Sequence, residues 1–114
     1  MNMRHDLLIW RADSEDCCKD KKKIDQIFSY TSFHYVTEGY GYFNGVRLGA
    51  GQVFCAEKNQ HVCYYPDSEE PWSYIYFDFS GEEPGNAVFL KQLVGEAHWG
   101  NFAYLDEVRQ ILQL

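Results

Sequence analysis

Two side chains with strong hydrogen-bonding chemistry, His34 and Glu38, lie in a segment of β character, FHYVTE. Alternation along a strand puts His34, Val36 and Glu38 on one side. A carboxylate and an imidazole on one wall can hydrogen-bond to the hydroxyls or amines of a ligand. The plain alternative leaves Glu38 in water at the strand's mouth. Downstream, WSYIYFDF divides in the same way, with Trp72, Tyr74, Tyr76 and Asp78 on one face and Ser73, Ile75, Phe77 and Phe79 on the other. The first face mixes polar atoms with rings, as a pocket wall does. The second reads as the better core face. Trp72 follows Pro71 at the strand entry and reads as structural. His61 opens a strand from a polar turn, either as a donor at a pocket rim or as an exposed turn residue.

Metal and catalytic chemistry find little support. The histidines are His5, His34, His61 and His98, and no H-x-H pair is present. His34, Glu38 and His61 resemble a two-histidine, one-carboxylate set only if the fold brings them together. No metal site or cofactor is expected. The cysteines, Cys17, Cys18, Cys55 and Cys63, have neither zinc-knuckle spacing nor a repeated C-x-x-C. They read as reduced structural thiols. No G-x-S-x-G or P-loop occurs. An enzyme is not expected.

The elements that must position these residues are short strands between glycine turns. Seven of the sixteen residues from Phe28 to Phe43 are aromatic, which favours strand. Phe33 to Thr37 and Tyr40 to Phe43 read as strands. Asn44-Gly45 is a strong two-residue hairpin signal, returning through Val46 to Leu48. Gly49-Ala50-Gly51 turns the chain into Gln52 to Cys55. His61 to Tyr65 and Trp72 to Phe79 follow, around a charged turn at Pro66 to Pro71. Ile24 to Tyr30 fits helix and strand alike. Leu7 to Trp10 suits an edge strand or an arm, and Ala12 to Lys23 reads as loop. After Gly81, helical spacing is expected over 86–94, a short strand within His98 to Tyr104, and a helix from Leu105 to Leu114. Leu105, Val108, Ile111 and Leu112 fall on one side of that last helix. It stops while still apolar, which suggests that the natural chain continues and that the stripe meets a partner helix.

Bulk properties bound the function classes. A chain of 114 residues holds one domain. Net charge is -7, and from Glu57 onward ten acidic residues face only Lys58, Lys91 and Arg109. Such a balance does not suit a phosphate backbone, so direct nucleic-acid contact by this chain is not expected. The basic run Lys21 to Lys23 sits among Asp16, Asp20 and Asp25 and reads as a solvated face. No secretory signal or membrane span is visible, and a cytoplasmic location is expected.

YVTEGYG, the glycine before QVF, HVCYYPD and above all PWSYIYFDFSG, taken in order, resemble the N-terminal sensor domain of AraC-type bacterial transcription regulators. The likeness covers Phe33 to Gly81 well and the rest loosely. It implies a mainly β fold, a small cupin-like antiparallel β-barrel followed by C-terminal helices that begin a dimerisation helix. The layout is then an arm or edge segment over 1–23, the sensor barrel over 24–81, and a helix, short strand and dimerisation helix over 82–114. The family's helix-turn-helix DNA-binding domain is absent from this sequence. The resemblance implies that a small polar effector, often a sugar, binds inside the barrel, with Glu38, Tyr74 and Tyr76 at pocket positions. Arabinose-responsive members have an arginine where Glu38 stands and an indole where Tyr76 stands, which argues against arabinose.

Together these readings give candidate ligand-binding residues Glu38, His34, Tyr74, Tyr76 and His61, and a homodimer through Leu105, Val108, Ile111 and Leu112. Two alternatives stand beside this one. The first is a structural dimerisation domain without a small ligand, and the second is a small metal-dependent cupin enzyme.

Overall fold

The computed structural model describes residues 9–16, 23–79 and 94–101. Among the described residues nine strands run in the order β1 (Ile9–Asp16), β2 (Ile24–Ile27), β3 (Thr31–Glu38), β4 (Tyr40–Phe43), β5 (Val46–Gly49), β6 (Gln52–Ala56), β7 (His61–Pro66), β8 (Ser73–Phe79) and β9 (Trp99–Asn101). They form two antiparallel sheets. The first has the order β1-β8-β3-β6-β9 and the second β2-β7-β4-β5.

The closed barrel expected from the sequence is therefore corrected. Both sheets are open, and their strand orders end at β1 and β9 in one and at β2 and β5 in the other. The physical reason is in the corners. β3 of the first sheet passes into β4 of the second through Gly39 alone, at φ 72°. The second corner, β5 to β6, turns at Ala50 and Gly51, with Gly51 at φ 87°. Such turns carry the chain from one layer to the other without a ladder across the seam. The layers meet through side chains, as in a sandwich. Period-2 alternation reads the same in a barrel and a sandwich, so the pattern of the strands does not separate them.

The C-terminal helices of the expected fold are corrected as far as residues are described. Among the described residues the only helical element past β8 is a short 3-10 helix, Gly95–Ala97, preceded by Val94. The rest of the helix expected over 86–94, the helix from Leu105 to Leu114, and the proposed dimer contacts Leu105, Val108, Ile111 and Leu112 lie outside the described residues. Ile24–Ile27, ambiguous in the sequence, is a strand on β7. Ala12–Asp16, expected as loop, continues β1 along β8.

Local chemistry explains the best-read pieces. Asn44 and Gly45 both take positive φ, 46° and 86°, which matches the right-handed twist of the β4–β5 hairpin. The Asn44 carboxamide also accepts from the Cys63 amide at 2.8 Å, holding the hairpin against β7. Cys55 and Cys63 lie on strands of different sheets and are not joined by a disulfide.

The main core lies between the sheets. Val36, Phe54 and Ala56 from the first sheet meet Phe43, Leu48 and Val62 from the second. Trp72 is fully buried among them, stacked on Phe54 at 5.5 Å and edge-on to Tyr74 at 5.8 Å. Trp72, Tyr74, Tyr76 and Asp78 thus face the other sheet, whereas Ile75, on the face expected to be the better core, is only half-buried. β3 is buried on both faces: Phe33 and Tyr35 point away from the second sheet and are still 1% exposed.

One approach depends on a glycine. A Cβ on Gly41 would overlap Trp72 ring atoms, so β4 lies against the indole only because position 41 has no side chain.

Candidate functional site

A cavity of 210 Å³ opens between the two sheets. Five of its wall residues come from the first sheet: Ser32 and His34 from β3, and Tyr74, Tyr76 and Asp78 from β8. Tyr64 on β7 and Phe28 and Tyr30 on the β2–β3 connection close the other side.

Strand register builds the first wall. Ser32 stands opposite Asp78, His34 opposite Tyr76, and Val36 opposite Tyr74. Directly opposed residues share a face, so the wall is a set of cross-strand rows. It runs from a carboxylate and a hydroxyl, through an imidazole and a phenol, to an apolar end near Trp72.

His34 is the centre of the ring cluster. It is 3% exposed, stacked at 4.4 Å on Phe54 and at 5.7 Å on Tyr76. Tyr74 meets it edge-on at 4.9 Å, and Tyr64 lies tilted at 5.2 Å. Contacts of this kind hold each ring in one orientation beyond what its buried area alone does. Phe28 is fixed by backbone hydrogen bonds to the β6–β7 loop, donating to Gln60 at 3.0 Å and accepting from Asn59 at 2.7 Å.

Of the residues singled out in the sequence, the structure brings His34, Tyr74 and Tyr76 together around the cavity. Glu38 and His61 stand elsewhere. Glu38 is exposed at the end of β3, where the register shifts between Val36 and Glu38. That bulge breaks the alternation that would have put Glu38 beside His34. His61 is exposed on β7 and pairs with Asp25 at 2.6 Å. His34, Glu38 and His61 do not converge. Among the described residues no three His, Cys, Asp or Glu side chains are grouped to hold a metal ion.

The wall also contains residues that were not among the sequence candidates, although Asp78 lies on the strand face that reads as a pocket wall. Asp78 shares its strand face with Tyr74 and Tyr76, and Ser32 shares one with His34, so parity was a usable signal for both. Tyr64 alternates with Val62 and Pro66 as a buried residue of β7. Phe28 and Tyr30 carried no such signal, since they follow the end of a strand.

A second cluster supports the wall from outside. The Asp67 carboxylate accepts from the amides of Glu69 and Glu70 at 3.0 and 2.9 Å, and from the Tyr42 hydroxyl at 3.1 Å. The Glu70 amide first, then that of Glu69, holds its carboxyl below the usual value of 3.8. Tyr40 joins this turn by donating to Glu70 at 2.8 Å and accepting from Asp67 at 2.9 Å. The turn so fixed delivers Pro71 and Trp72 to the start of β8.

A family model described as the AraC-like ligand binding domain matches residues 17–88. The chain is similar to the Msm operon regulatory protein of Streptococcus mutans serotype c, 32% identical over 91 residues, covering 76% of this chain and 32% of that protein. It is similar to the lactose operon transcription activator of Staphylococcus xylosus, 27% identical over 92 residues, covering 77% of this chain and 33% of that protein. The chain spans about a third of the length of these curated relatives.

Proposed function

Since the chain belongs to the AraC-like ligand-binding domain family, we propose that it is the effector-sensing part of a transcription regulator and takes a small polar molecule into the cavity between its sheets. It is a regulatory domain and not an enzyme. The observation that carries the ligand reading is the 210 Å³ cavity walled by phenols, an imidazole, a hydroxyl and a carboxylate. An interior filled by side chains would instead have favoured a purely structural dimerisation domain.

The cavity is smaller than the roughly 300–1,000 Å³ of pockets for drug-sized ligands, so it suits a molecule such as a monosaccharide or one ring of a larger sugar. One relative is the activator of a lactose operon, which supports a sugar as the effector class. His34, Tyr74 and Tyr76 are the proposed contacts, presenting ring faces and polar edges. Glu38 and His61 lie outside this wall and are not needed for it. A ligand that prefers one arrangement of the domain over another would bias a DNA-binding part carried elsewhere in the regulator. A homodimer through Leu105, Val108, Ile111 and Leu112 and a cytoplasmic setting complete the proposal. The first rests on the sequence spacing of those four apolar residues, the second on the regulatory role.

Isothermal calorimetry with a panel of sugars that includes glucose, galactose and lactose tests the reading. Binding by at least one, weakened tenfold or more in Tyr76→Ala, is the expected result. Tyr76 is only partly buried, and thermal melting of the variant checks that it folds. A panel without a binder, or binding indifferent to Tyr76→Ala, would overturn the cavity as the effector site.

A further inference from the structure

We propose that Asp78, with Ser32 opposite it, is the specificity-determining end of the cavity, accepting ligands that bring hydrogen-bond donors and rejecting phosphorylated or carboxylated ones. This rests on the cavity being the effector site. It adds which chemical form of the effector the site reads.

Three observations carry it. Asp78 is 1% exposed and still lines the cavity, so the wall offers a ligand a carboxylate screened very little by water. A carboxylate has about four acceptor positions, so contacts within the protein and contacts to a ligand can coexist on one group. Ser32, also 1% exposed, stands directly across the ladder, with side chains on the same face. The two together suit a pair of neighbouring hydroxyls or a hydroxyl beside an amine. The described wall contains no Lys or Arg to receive an anion.

The register extends the pattern to the edge of the sheet. On the other side of β8, β1 places Arg11 opposite Asp78, Asp13 opposite Tyr76 and Glu15 opposite Tyr74. In register, the row of Asp78 ends on a basic position and those of Tyr76 and Tyr74 end on acidic ones, in a chain whose net charge is -7. A phosphate brought within about 5 Å of the Asp78 carboxylate, at the effective dielectric of a protein site, would be disfavoured on the order of a hundredfold in affinity. A neutral sugar suffers no such loss and gains the charge-assisted hydrogen bonds. The sensor would then respond to the unmodified sugar and fall silent once a kinase has phosphorylated it.

Calorimetry on the 114-residue chain tests this with glucose, galactose and lactose against glucose 6-phosphate, galactose 6-phosphate and inorganic phosphate. The expected result is that a neutral sugar binds at least thirtyfold more tightly than its 6-phosphate. Asp78→Asn, with thermal melting to show that it folds, should weaken the neutral sugar tenfold and narrow the discrimination by a similar factor. Should Asp78→Asn not fold, Ser32→Ala serves in its place, with a threefold or larger weakening expected for the neutral sugar. A 6-phosphate that binds as tightly as its parent overturns the inference and leaves the effector site standing. So does a folded Asp78→Asn, or the Ser32→Ala that replaces it, with unchanged affinities. A panel in which nothing binds removes the effector site, and the inference falls with it.

Discussion

Gly41→Ala is expected to destabilise the domain through a single contact. Gly41 has no positive φ, so alanine suits its backbone, and the substitution would otherwise favour the folded state by about 0.4–1 kcal/mol through the unfolded chain. Space decides the sign. The added methyl would overlap Cδ2, Cε3 and Cε2 of Trp72, well inside the 3.0 Å that real Cβ contacts do not cross. The indole cannot withdraw freely, because Phe54 is stacked on it at 5.5 Å and Tyr74 stands edge-on at 5.8 Å. Overpacking of this kind costs about 1–3 kcal/mol or somewhat more. The net effect is about 2 kcal/mol of destabilisation, or a Tm lower by about 8 °C for a chain of this size. Differential scanning calorimetry on Gly41→Ala, Trp72→Phe and the double variant reads the cause as well as the size. A phenyl ring leaves room where the indole does not. The double variant should therefore be more stable than the sum of the singles by at least about 1 kcal/mol. An unchanged Tm in Gly41→Ala, or strict additivity in the cycle, would refute the argument that β4 rests on the indole.

Two titrations follow from the surroundings of Asp67 and Tyr35. The folded-state pKa of Asp67 is lowered, so its contribution is present above the usual 3.8 and is lost as pH falls through the folded value. Asp67→Asn should melt earlier than the wild type at neutral pH. The two melting temperatures should converge below pH 3.8, and a gap that persists into strong acid would contradict the assignment. Tyr35 is 1% exposed, and burial pushes its phenol above the usual value near 10. A raised pKa contributes stability below the unfolded value, lost as pH rises through the folded one. Tyr35→Phe should therefore flatten the loss of stability above pH 10 in urea titrations, and equal slopes for the two proteins would count against it.

The strands were legible because their chemistry is local. Asn44-Gly45 announces its hairpin through two residues that tolerate positive φ, and the structure shows both at such angles. Alternation along Trp72 to Phe79 grouped Tyr74, Tyr76 and Asp78 correctly on one face, and those three line the cavity. What alternation could not do was say which face holds the core. Both faces of the first sheet are well covered at β3, from Thr31 to Val36, so a contrast between polar and apolar faces was missing there. Closure was equally out of reach, since it depends on pairing across seams between residues far apart in sequence. Glu38 failed to join His34 for a different reason. The bulge at Thr37, where the side chain donates to the Ser73 carbonyl at 3.1 Å, inserts one residue and reverses the parity. No one-dimensional pattern in YVTEGY marks that extra residue.

The same rings serve as core and as cavity wall, so a ligand in the proposed site would bear on the packing that stabilises the domain. Phe54 is stacked with His34, with Phe43 and with Trp72. His34 in turn stacks on Tyr76, whose ring borders the cavity. A ligand that presses on Tyr76 therefore acts on a continuous stack reaching the indole beneath β4. Gly41 sits at the far end of that stack, where any methyl must displace Trp72. The sandwich thus has no separate binding layer laid over an inert core. Polar edges appear only where the two sheets part, at Ser32, Asp78 and the phenols, and apolar contacts take over where they close on Phe43, Leu48 and Val62. On the proposed function, a ligand would be read at the open end and its contacts would bear on the closed one, because close-packed rings do not yield one at a time.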